Sequence, residues 1–229
     1  MILKKALAAG LAVAAGLLAA APARAELVLS DLIVELQSGK LARRDIEVWN
    51  NSPERSYVSV EPREILEPGL ASQSLRKDPD PEKLGLLVSP QRLILEPGQR
   101  KLVRIGNLSA SGDREHVYRV MMKPVVAGVQ SEDSGLKIVV GYDVLVLVRP
   151  ATATAAVKSS RTGRQLTFHN KGNVSVEIVD GRQCSPAKQC RELPGRRLYP
   201  GASWSVELPT DLPAEYVLKS PGRTERKTF

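Results

Sequence analysis

The feature that most constrains the fold is a run of alternating apolar residues from Leu136 to Val148. Every even-numbered position in it is apolar, and a period of two places such side chains on one face of a β-strand. The odd-numbered positions are largely polar as far as Asp143, whereas Leu145 and Leu147 are apolar. The second half is therefore predicted to be a strand buried on both faces, and the first half an edge or half-covered strand.

A strand over the whole run would be roughly 40 Å long, against about 17–20 Å for a typical strand. A small β-sandwich has no use for all of this length. The first half, with Leu136, Ile138 and Val140 on one face, is therefore predicted to be an apolar edge that pairs with another chain. The alternative is an ordinary edge strand that covers its own core.

The N-terminus has the pattern of an export signal. Lys4 and Lys5 precede an apolar run over residues 6–21, and small residues follow at a cleavage spacing. Residues 1–25 are therefore predicted to be a cleaved signal peptide, and the mature chain to begin at Glu26. A retained membrane anchor is the alternative, but the run is shorter than the roughly 20 residues that a span needs.

Charge and composition exclude several classes of protein. The predicted signal peptide carries three basic residues and no acidic one, so its removal lowers the formal net charge from +8 to +5. This modest charge without interleaved aromatic residues argues against nucleic-acid binding. No later segment is apolar and long enough for stable membrane insertion.

The pattern of the remaining chain predicts short strands separated by turns, and apolar residues do not recur with a helical period over any long window. The first 125 residues after Ala25 are predicted to hold five to seven strands, which indicates an immunoglobulin-like sandwich over residues 26–150. Leu27 to Leu36 is predicted to be one strand, and residues 46–60 a hairpin around Asn50-Asn51-Ser52-Pro53. A second turn at Pro97-Gly98 separates two further strands.

Composition changes after Pro150, where a small and polar segment is either a linker or an opening strand. A second, smaller β-sandwich domain is predicted over residues 151–229. Its four predicted strands are Leu166 to Phe168, Val174 to Val179, Trp204 to Leu208 and Tyr216 to Leu218. The fold class is thus all-β, with two domains.

Cys184 and Cys190 flank a Ser-Pro turn, and in an exported protein such a pair is predicted to form a disulfide. His116 and His169 show no ligand spacing with the cysteines, so neither a metal site nor a cofactor is expected. Catalytic patterns such as GxSxG, HExxH or paired carboxylates do not occur, and the chain is not expected to be an enzyme.

Three segments suggest a family by their order and spacing: LLVSPQRLILEPGQRKLVRI, DREHVYRVMMKPV and LKIVVGYDVLVLVRP. Together they resemble the periplasmic pilus-assembly chaperones of the bacterial chaperone–usher pathway. The resemblance covers most of residues 26–150 and, more loosely, the second domain through LTFHNKGNVSVEIV and LYPGASWSVELP. It implies two immunoglobulin-like domains joined at an angle, with a cleft between them that binds pilins.

The resemblance also implies a function and a location. Such a chaperone resides in the periplasm, binds, folds and caps pilin subunits by donor-strand complementation, and delivers them to an outer-membrane usher. By position, Leu136, Ile138 and Val140 fall where the family's donor residues lie. A monomer or a weak self-capping dimer is expected.

Charged positions of the family match this chain only in part. Glu115 and Arg149 fall where family members place two members of an interdomain ion-pair network, whose third, acidic member has no obvious counterpart here. Family members also anchor the pilin's terminal carboxylate with a cleft Arg and Lys, but the matching positions hold Leu145 and, near the first strand, Val34. The candidate replacements are Arg43, Arg44, Lys137 and Arg149.

A protein of another class fits the same strand pattern. A secreted structural or adhesive β-sandwich protein of the cell surface would also contain two such domains. It would have no partner that lacks a strand, so its free edge would drive self-association.

Overall fold

The structure, a computed structural model, describes residues 26–38, 42–109, 112–125 and 139–229. These residues are almost entirely β, with one short helix among them, α1 (Pro81–Leu84). Their strands form two sandwiches, and no strand of one sandwich is paired with a strand of the other. No helix within these ranges is long and apolar enough to cross a membrane.

The first sandwich packs a four-stranded sheet against a six-stranded sheet. The four-stranded sheet contains, in spatial order, β1 (Leu27–Leu29), β3 (Arg43–Asn50), β8 (Arg100–Asn107) and β6 (Leu86–Ser89). The six-stranded sheet contains β2 (Ile33–Gln37), β10 (Tyr142–Arg149), β9 (His116–Pro124), β4 (Ser56–Leu66) and β5 (Ser74–Arg76), and β7 (Arg92–Leu95) also pairs with β4.

The second sandwich is smaller and has a three-stranded and a five-stranded sheet. The three-stranded sheet contains β11 (Val157–Thr162), β12 (Gln165–Asn170) and β16 (Ser203–Glu207). The five-stranded sheet contains β14 (Cys190–Leu193), β13 (Val176–Cys184), β17 (Ala214–Ser220) and β18 (Arg223–Thr228), and β15 (Arg196–Leu198) also pairs with β13.

Aromatic rings fill the core of the second sandwich. Phe168 lies at its centre, with its ring centroid 5.0 Å from Phe229, 5.4 Å from Tyr216 and 5.7 Å from Trp204. The first and second of these contacts are edge-to-face and the third is stacked, which are favourable geometries for aromatic pairs. The aromatic cluster supplies a large buried apolar area to a domain that has few residues.

Strand β10 confirms that the second half of the alternating run is buried on both faces. Val144, Val146 and Val148 point into the core of the first sandwich, and Leu145 and Leu147 lie on the opposite, equally buried face. Both faces are covered because one packs on the four-stranded sheet and the other faces the second sandwich.

The first half of that run has no strand in the part that the structure describes. Strand β10 begins at Tyr142, directly after Gly141, and Val140 precedes it without strand pairing. Leu136 and Ile138 lie outside the described residues. The prediction of one strand over the whole run is therefore wrong at residues 139–141, which are not in a strand, and for residues 136–138 it stays a prediction.

The predicted hairpin over residues 46–60 is wrong, because β3 and β4 belong to different sheets. The turn residues are real, but they carry the chain across the sandwich. Asn50 supports this crossing: its side-chain amide donates to Glu54 O at 2.7 Å and to Leu95 O at 3.0 Å. The turn at Pro97-Gly98 likewise joins strands of two sheets.

The predicted strand from Leu27 to Leu36 is also wrong in one respect. It is divided into β1 and β2, which pair with different sheets. Apolar alternation indicates which side chains are buried, but the same pattern suits either sheet, so it does not identify the partner strand.

The predicted disulfide is confirmed. Cys184 and Cys190 are directly opposed on β13 and β14, and their sulfur atoms are bonded. The bond closes the hairpin between these two strands at its turn end. The segment after Pro150 leads into β11, which is an opening strand of the second sandwich.

Candidate functional site

The two sandwiches meet on the outer face of the six-stranded sheet. A row of apolar side chains crosses this face in register, with Ile65 opposite Val117 on β9 and Val117 opposite Leu147 on β10. Tyr199 of the second sandwich packs on this row together with Leu145. The apolar contact explains why β10 is buried on the face that points away from its own core.

A buried ion network lies beside this apolar row. The guanidinium of Arg149 contacts the carboxylate of Glu115 and donates to Glu35 Oε1 at 2.7 Å. It also donates to Ser175 Oγ of the second sandwich at 3.1 Å. Glu115 Oε2 accepts from Ser175 N at 3.0 Å, so the two charged residues and Ser175 connect the sandwiches directly.

The network continues into the second sandwich through a second arginine. Arg197 Nη1 donates to Ser175 Oγ at 3.3 Å, and its Nη2 contacts Glu177. The acid of the second sandwich nearest to this network is thus Glu177, which reaches Arg149 only through Arg197 and Ser175. The sequence signal was weak: Ser175 directly precedes β13, Glu177 is its second residue, and Arg197 on β15 is the cross-strand partner of Glu177.

Backbone contacts strengthen the same junction. Glu115 N donates to Asn173 O at 3.0 Å, and Asn173 Nδ2 donates to Asp113 O at 2.8 Å and to Thr152 O at 2.9 Å. Arg114 Nη2 donates to Pro200 O at 3.0 Å. These bonds hold the segment before β9 against two loops of the second sandwich.

Neither family anchor position supplies a cation to this face. Val34 is buried in the core of the first sandwich, and Leu145 is buried against Tyr199. Of the candidate replacements, Arg43 and Arg44 lie on β3 of the other sheet, and Lys137 lies outside the described residues. The last candidate, Arg149, is occupied by two carboxylates.

A second row of side chains crosses the same face next to the apolar row. Its members are cross-strand partners from β4 to β2, in the order Arg63, Arg119, Leu145 and Ile33. Arg63 Nη2 donates to Asp143 Oδ2 at 3.0 Å, and Arg119 Nη1 donates to Asp143 O at 3.2 Å. Sequence inspection missed both arginines because they lie on separate strands that are far apart in the chain.

Tyr199 faces both the arginine row and the ion network. Burial raises the pKa of the Tyr199 hydroxyl, while the positive charges of Arg119 and Arg197 act in the opposite direction. The hydroxyl therefore stays protonated at neutral pH and can donate a hydrogen bond in the angle between the sandwiches.

The start of β10 has an open side. Strand β2 pairs with β10 only from Leu145 onward, so among the described residues no strand is paired with that side of Tyr142 to Val144. Val140 lies just before this stretch and is 60% exposed. Ile33, the first residue of β2, and Leu32 before it are also exposed. The chain thus presents an unpaired edge with apolar side chains at both ends.

The histidines have other partners. His116 Nδ1 lies 2.9 Å from Glu64 Oε1, and His169 Nδ1 lies 2.9 Å from Ser203 Oγ. In the described ranges no group of three or more His, Cys, Asp or Glu side chains is arranged to hold a metal ion.

Comparisons with known proteins agree with this architecture. A family model described as the pili and flagellar-assembly chaperone, PapD N-terminal domain, matches residues 27–154. Two fimbrial proteins of Escherichia coli are similar in sequence. The one from CS1 fimbriae is 26% identical over 196 residues, which are 80% of this chain and 81% of that protein. The one from CFA/I fimbriae is 24% identical over 173 residues, which are 70% of this chain and 72% of that protein.

Solved structures show the same fold. The class 5 fimbriae chaperone CfaA has a TM-score of 0.65 at 21% identity, with 88% of this chain and 98% of that chain covered. A chain in the complex of the Salmonella enterica SafA pilin with the SafB chaperone has a TM-score of 0.63 at 16% identity. The match covers 91% of this chain and 99% of that chain. This likeness confirms the predicted fold of two immunoglobulin-like domains.

Proposed function

Because the chain belongs to the family of pili and flagellar-assembly chaperones, we propose that it binds and caps pilin subunits by donor-strand complementation in the periplasm and delivers them to an outer-membrane usher. The family match supports the chaperone role. A similar fold occurs in a complex of a chaperone with a pilin, which supports a pilin as the partner.

The observation that carries the donor-strand proposal is the open side of β10. A strand of another protein can pair with this side, since the backbone groups of an unpaired edge form hydrogen bonds with an added strand. The apolar residues before it, Leu136, Ile138 and Val140, then enter the open groove of the partner. Burial of apolar surface contributes about 25 cal/mol per Å², so no ATP is required.

Usher delivery needs a surface that stays free while the edge is occupied. Tyr57 on β4, Ile94 on β7 and Val125 after β9 are exposed apolar residues near one end of the same sheet, and they line one cavity. An exposed apolar cluster of this kind is a candidate for contact with a second protein.

The proposed domain borders follow the sheets. Residues 26–150 contain every strand of the first sandwich, and residues 151–229 contain every strand of the second. Residues 1–25 lie outside the described residues, and their role as a cleaved signal peptide belongs to this proposal. Export to the periplasm also agrees with the disulfide, because such bonds persist in oxidising compartments.

The test is to place charges on the donor segment. Ile138→Asp and Val140→Asp should lower recovery of a pilin from the same genome, co-expressed with the tagged chaperone, by about tenfold or more, because a buried unpaired carboxylate is costly. The matched control is Leu102→Asp, since Leu102 is similarly exposed at 56% but lies on β8 of the other sheet. It should leave recovery unchanged.

Unchanged pilin recovery by the two donor variants, with an intact fold by circular dichroism, would contradict donor-strand binding. Sedimentation gives a second readout. A chain that forms large self-associated species and recovers no pilin is a structural or adhesive protein instead.

A further inference from the structure

A loop of the first sandwich packs on the second one. It is the β4–β5 loop, residues 67–73, between the end of β4 at Leu66 and the start of β5 at Ser74. Leu70 in this loop is half-buried, and it packs on the hydrophobic core cluster of the second sandwich, to which Ala202 belongs. A leucine of one domain thus extends the core of the other, at a point outside the ion network.

Contacts within the β4–β5 loop fix the direction of Leu70. Gln73 N donates to Leu70 O at 3.1 Å, and Gly69 N donates to Gln73 Oε1 at 2.8 Å. Gly69 has a φ of +77°, which glycine adopts without the steric penalty of a side chain. A Cβ placed on it would be 3.4 Å from Ala202 Cβ and 3.4 Å from Tyr199 Cδ2. The loop is therefore an ordered turn that lies directly against the second sandwich.

The surface on which the β4–β5 loop packs is also ordered. It is the loop between β15 and β16, residues 199–202, which is hydrogen-bonded to Asn170 on β12. Asn170 N donates to Ala202 O at 3.0 Å, and Asn170 O accepts from Gly201 N at 2.8 Å. The side chain of Asn170 is buried and donates to Leu198 O at 2.9 Å. Two fixed loops therefore meet, so a shift of one displaces the other.

This contact lies to one side of the other attachments between the sandwiches. The spatial order β10, β9, β4 puts the β4–β5 loop two strands, or about 10 Å, from β10. The chain crosses to the second sandwich after β10, and the pair of Glu115 with Arg149 joins the sandwiches at the ends of β9 and β10. Two domains move relative to each other unless their interface is large and apolar. An apolar contact to one side of the crossing point opposes rotation about that point.

We propose that Leu70 is a positioning residue, which holds the two domains at a fixed angle before any partner arrives. The fixed angle is a property of this chain alone. Its consequence for pilin capture deepens the proposed function and rests on it. When only a fraction of the molecules has the arrangement that binds, the apparent affinity falls by that fraction. By keeping one arrangement populated, the Leu70 contact strengthens capture at the open side of β10.

The experiment measures residual dipolar couplings of the backbone amides of the mature chain by NMR. Two domains held at a fixed angle share one alignment tensor, whereas domains that move independently have tensors of different magnitude. The unaltered chain should show one shared tensor. Leu70→Ser should lose it, because the apolar contact between the domains is removed. A variant that only lowered the stability of a domain would keep the shared tensor in its folded molecules.

Three variants separate this contact from general effects of substitution. The matched control is Leu75→Ser, since Leu75 on β5 is 57% exposed, and it should keep the shared tensor. Leu70→Met should keep it as well, because methionine preserves the apolar volume. Leu70→Ala introduces no polar group and should lose the shared tensor. It replaces Leu70→Ser if the serine variant unfolds the second domain.

A shared tensor with unchanged orientation in Leu70→Ala, or equal loosening in Leu75→Ser, would overturn the inference. The assay contains no pilin, so such a failure leaves the donor-strand proposal standing.

Pilin recovery tests the consequence for capture. Recovery by Leu70→Ala should fall about threefold, the loss expected when about a third of the molecules keep the arrangement that binds, and Leu75→Ser should recover pilin as the unaltered chain does. Unchanged recovery by a Leu70→Ala chain that has lost the shared tensor would overturn the role in capture. Failure of the proposed function is detected separately, as unchanged pilin recovery in the Val140→Asp variant.

Discussion

Glu115 and Arg149 contact each other between the two sandwiches, where their side chains are 0% and 10% exposed. Each also bonds to Ser175 of the second sandwich. An ion pair in this position links the end of β10 to the neighbouring domain. It therefore couples β10, the strand that follows the proposed donor segment, to the relative placement of the domains.

Loss of one charge from this pair should destabilise the protein strongly. Glu115→Gln leaves Arg149 buried with only Glu35, and breaking a buried pair costs about 3–5 kcal/mol. We expect the free energy of unfolding to fall by about 3 kcal/mol, measured by urea denaturation. Glu207→Gln is the control, since it breaks an exposed pair with Arg164 and should cost less than about 1 kcal/mol. Similar losses in both variants would contradict this account.

Gly181 should not tolerate a side chain. It lies where the register between β13 and β17 shifts, and a Cβ placed there would be 2.2 Å from Cε1 of the buried Tyr216. Gly181→Ala should destabilise the second domain by about 1–3 kcal/mol, as overpacking does. Thermal unfolding followed by Trp204 fluorescence measures the loss.

The control for this substitution is Gly106→Ala on β8. A Cβ there would have Leu87 Cβ as its nearest neighbour, at 3.8 Å, which is an ordinary contact. This variant should unfold close to the temperature of the unaltered chain. A loss at Gly181 no larger than the loss at Gly106 would contradict the predicted clash with Tyr216.

Reduction of the disulfide should weaken the second domain alone. The chain-entropy model assigns about 2 kcal/mol to the short loop between Cys184 and Cys190. The chain has two tryptophans, Trp49 in the first sandwich and Trp204 in the second. In a Trp49→Phe variant the fluorescence melting temperature should fall on reduction, whereas in Trp204→Phe it should not. Equal shifts of the two signals would indicate that the domains unfold together.

Alkaline pH should destabilise the second domain through Tyr216. Burial raises the pKa of its hydroxyl to about 12, above the value of about 10 in an unfolded chain. The unfolded state therefore releases this proton first, and stability falls as pH rises from about 10 to about 12. Denaturation of the Trp49→Phe chain across this range measures the slope. Adding Tyr216→Phe should reduce the slope, and an unchanged slope would exclude Tyr216 as its source.

Several features of the protein could be predicted from the sequence because they depend on residues that are close to each other in the chain. Alternation alone indicated that Val144 to Val148 are buried on both faces, since side chains of a strand alternate whatever its partner. Cys184 and Cys190 are close in sequence and meet across a hairpin. Glu115 and Arg149 were identified by the family resemblance, and the structure places them in contact.

Other features depend on which strands are neighbours. Glu35 and Ser175 reach Arg149 from β2 and from the second sandwich, and no spacing in the sequence links them. Arg63 and Arg119 become opposite neighbours only through the register of β4 and β9. The pattern that predicts a strand contains no information on its register with a distant strand.

The sequence by itself determined the all-β class, the buried second half of the alternating run and the disulfide, because backbone periodicity and short-range geometry depend on nearby residues. Tertiary structure alone decided that β3 and β4 lie in different sheets, that Leu145 contacts Tyr199, and that Arg119 has no carboxylate partner among the described residues. Pairing of distant strands brings these groups together, and the resulting burial and charge balance exist only in the folded chain.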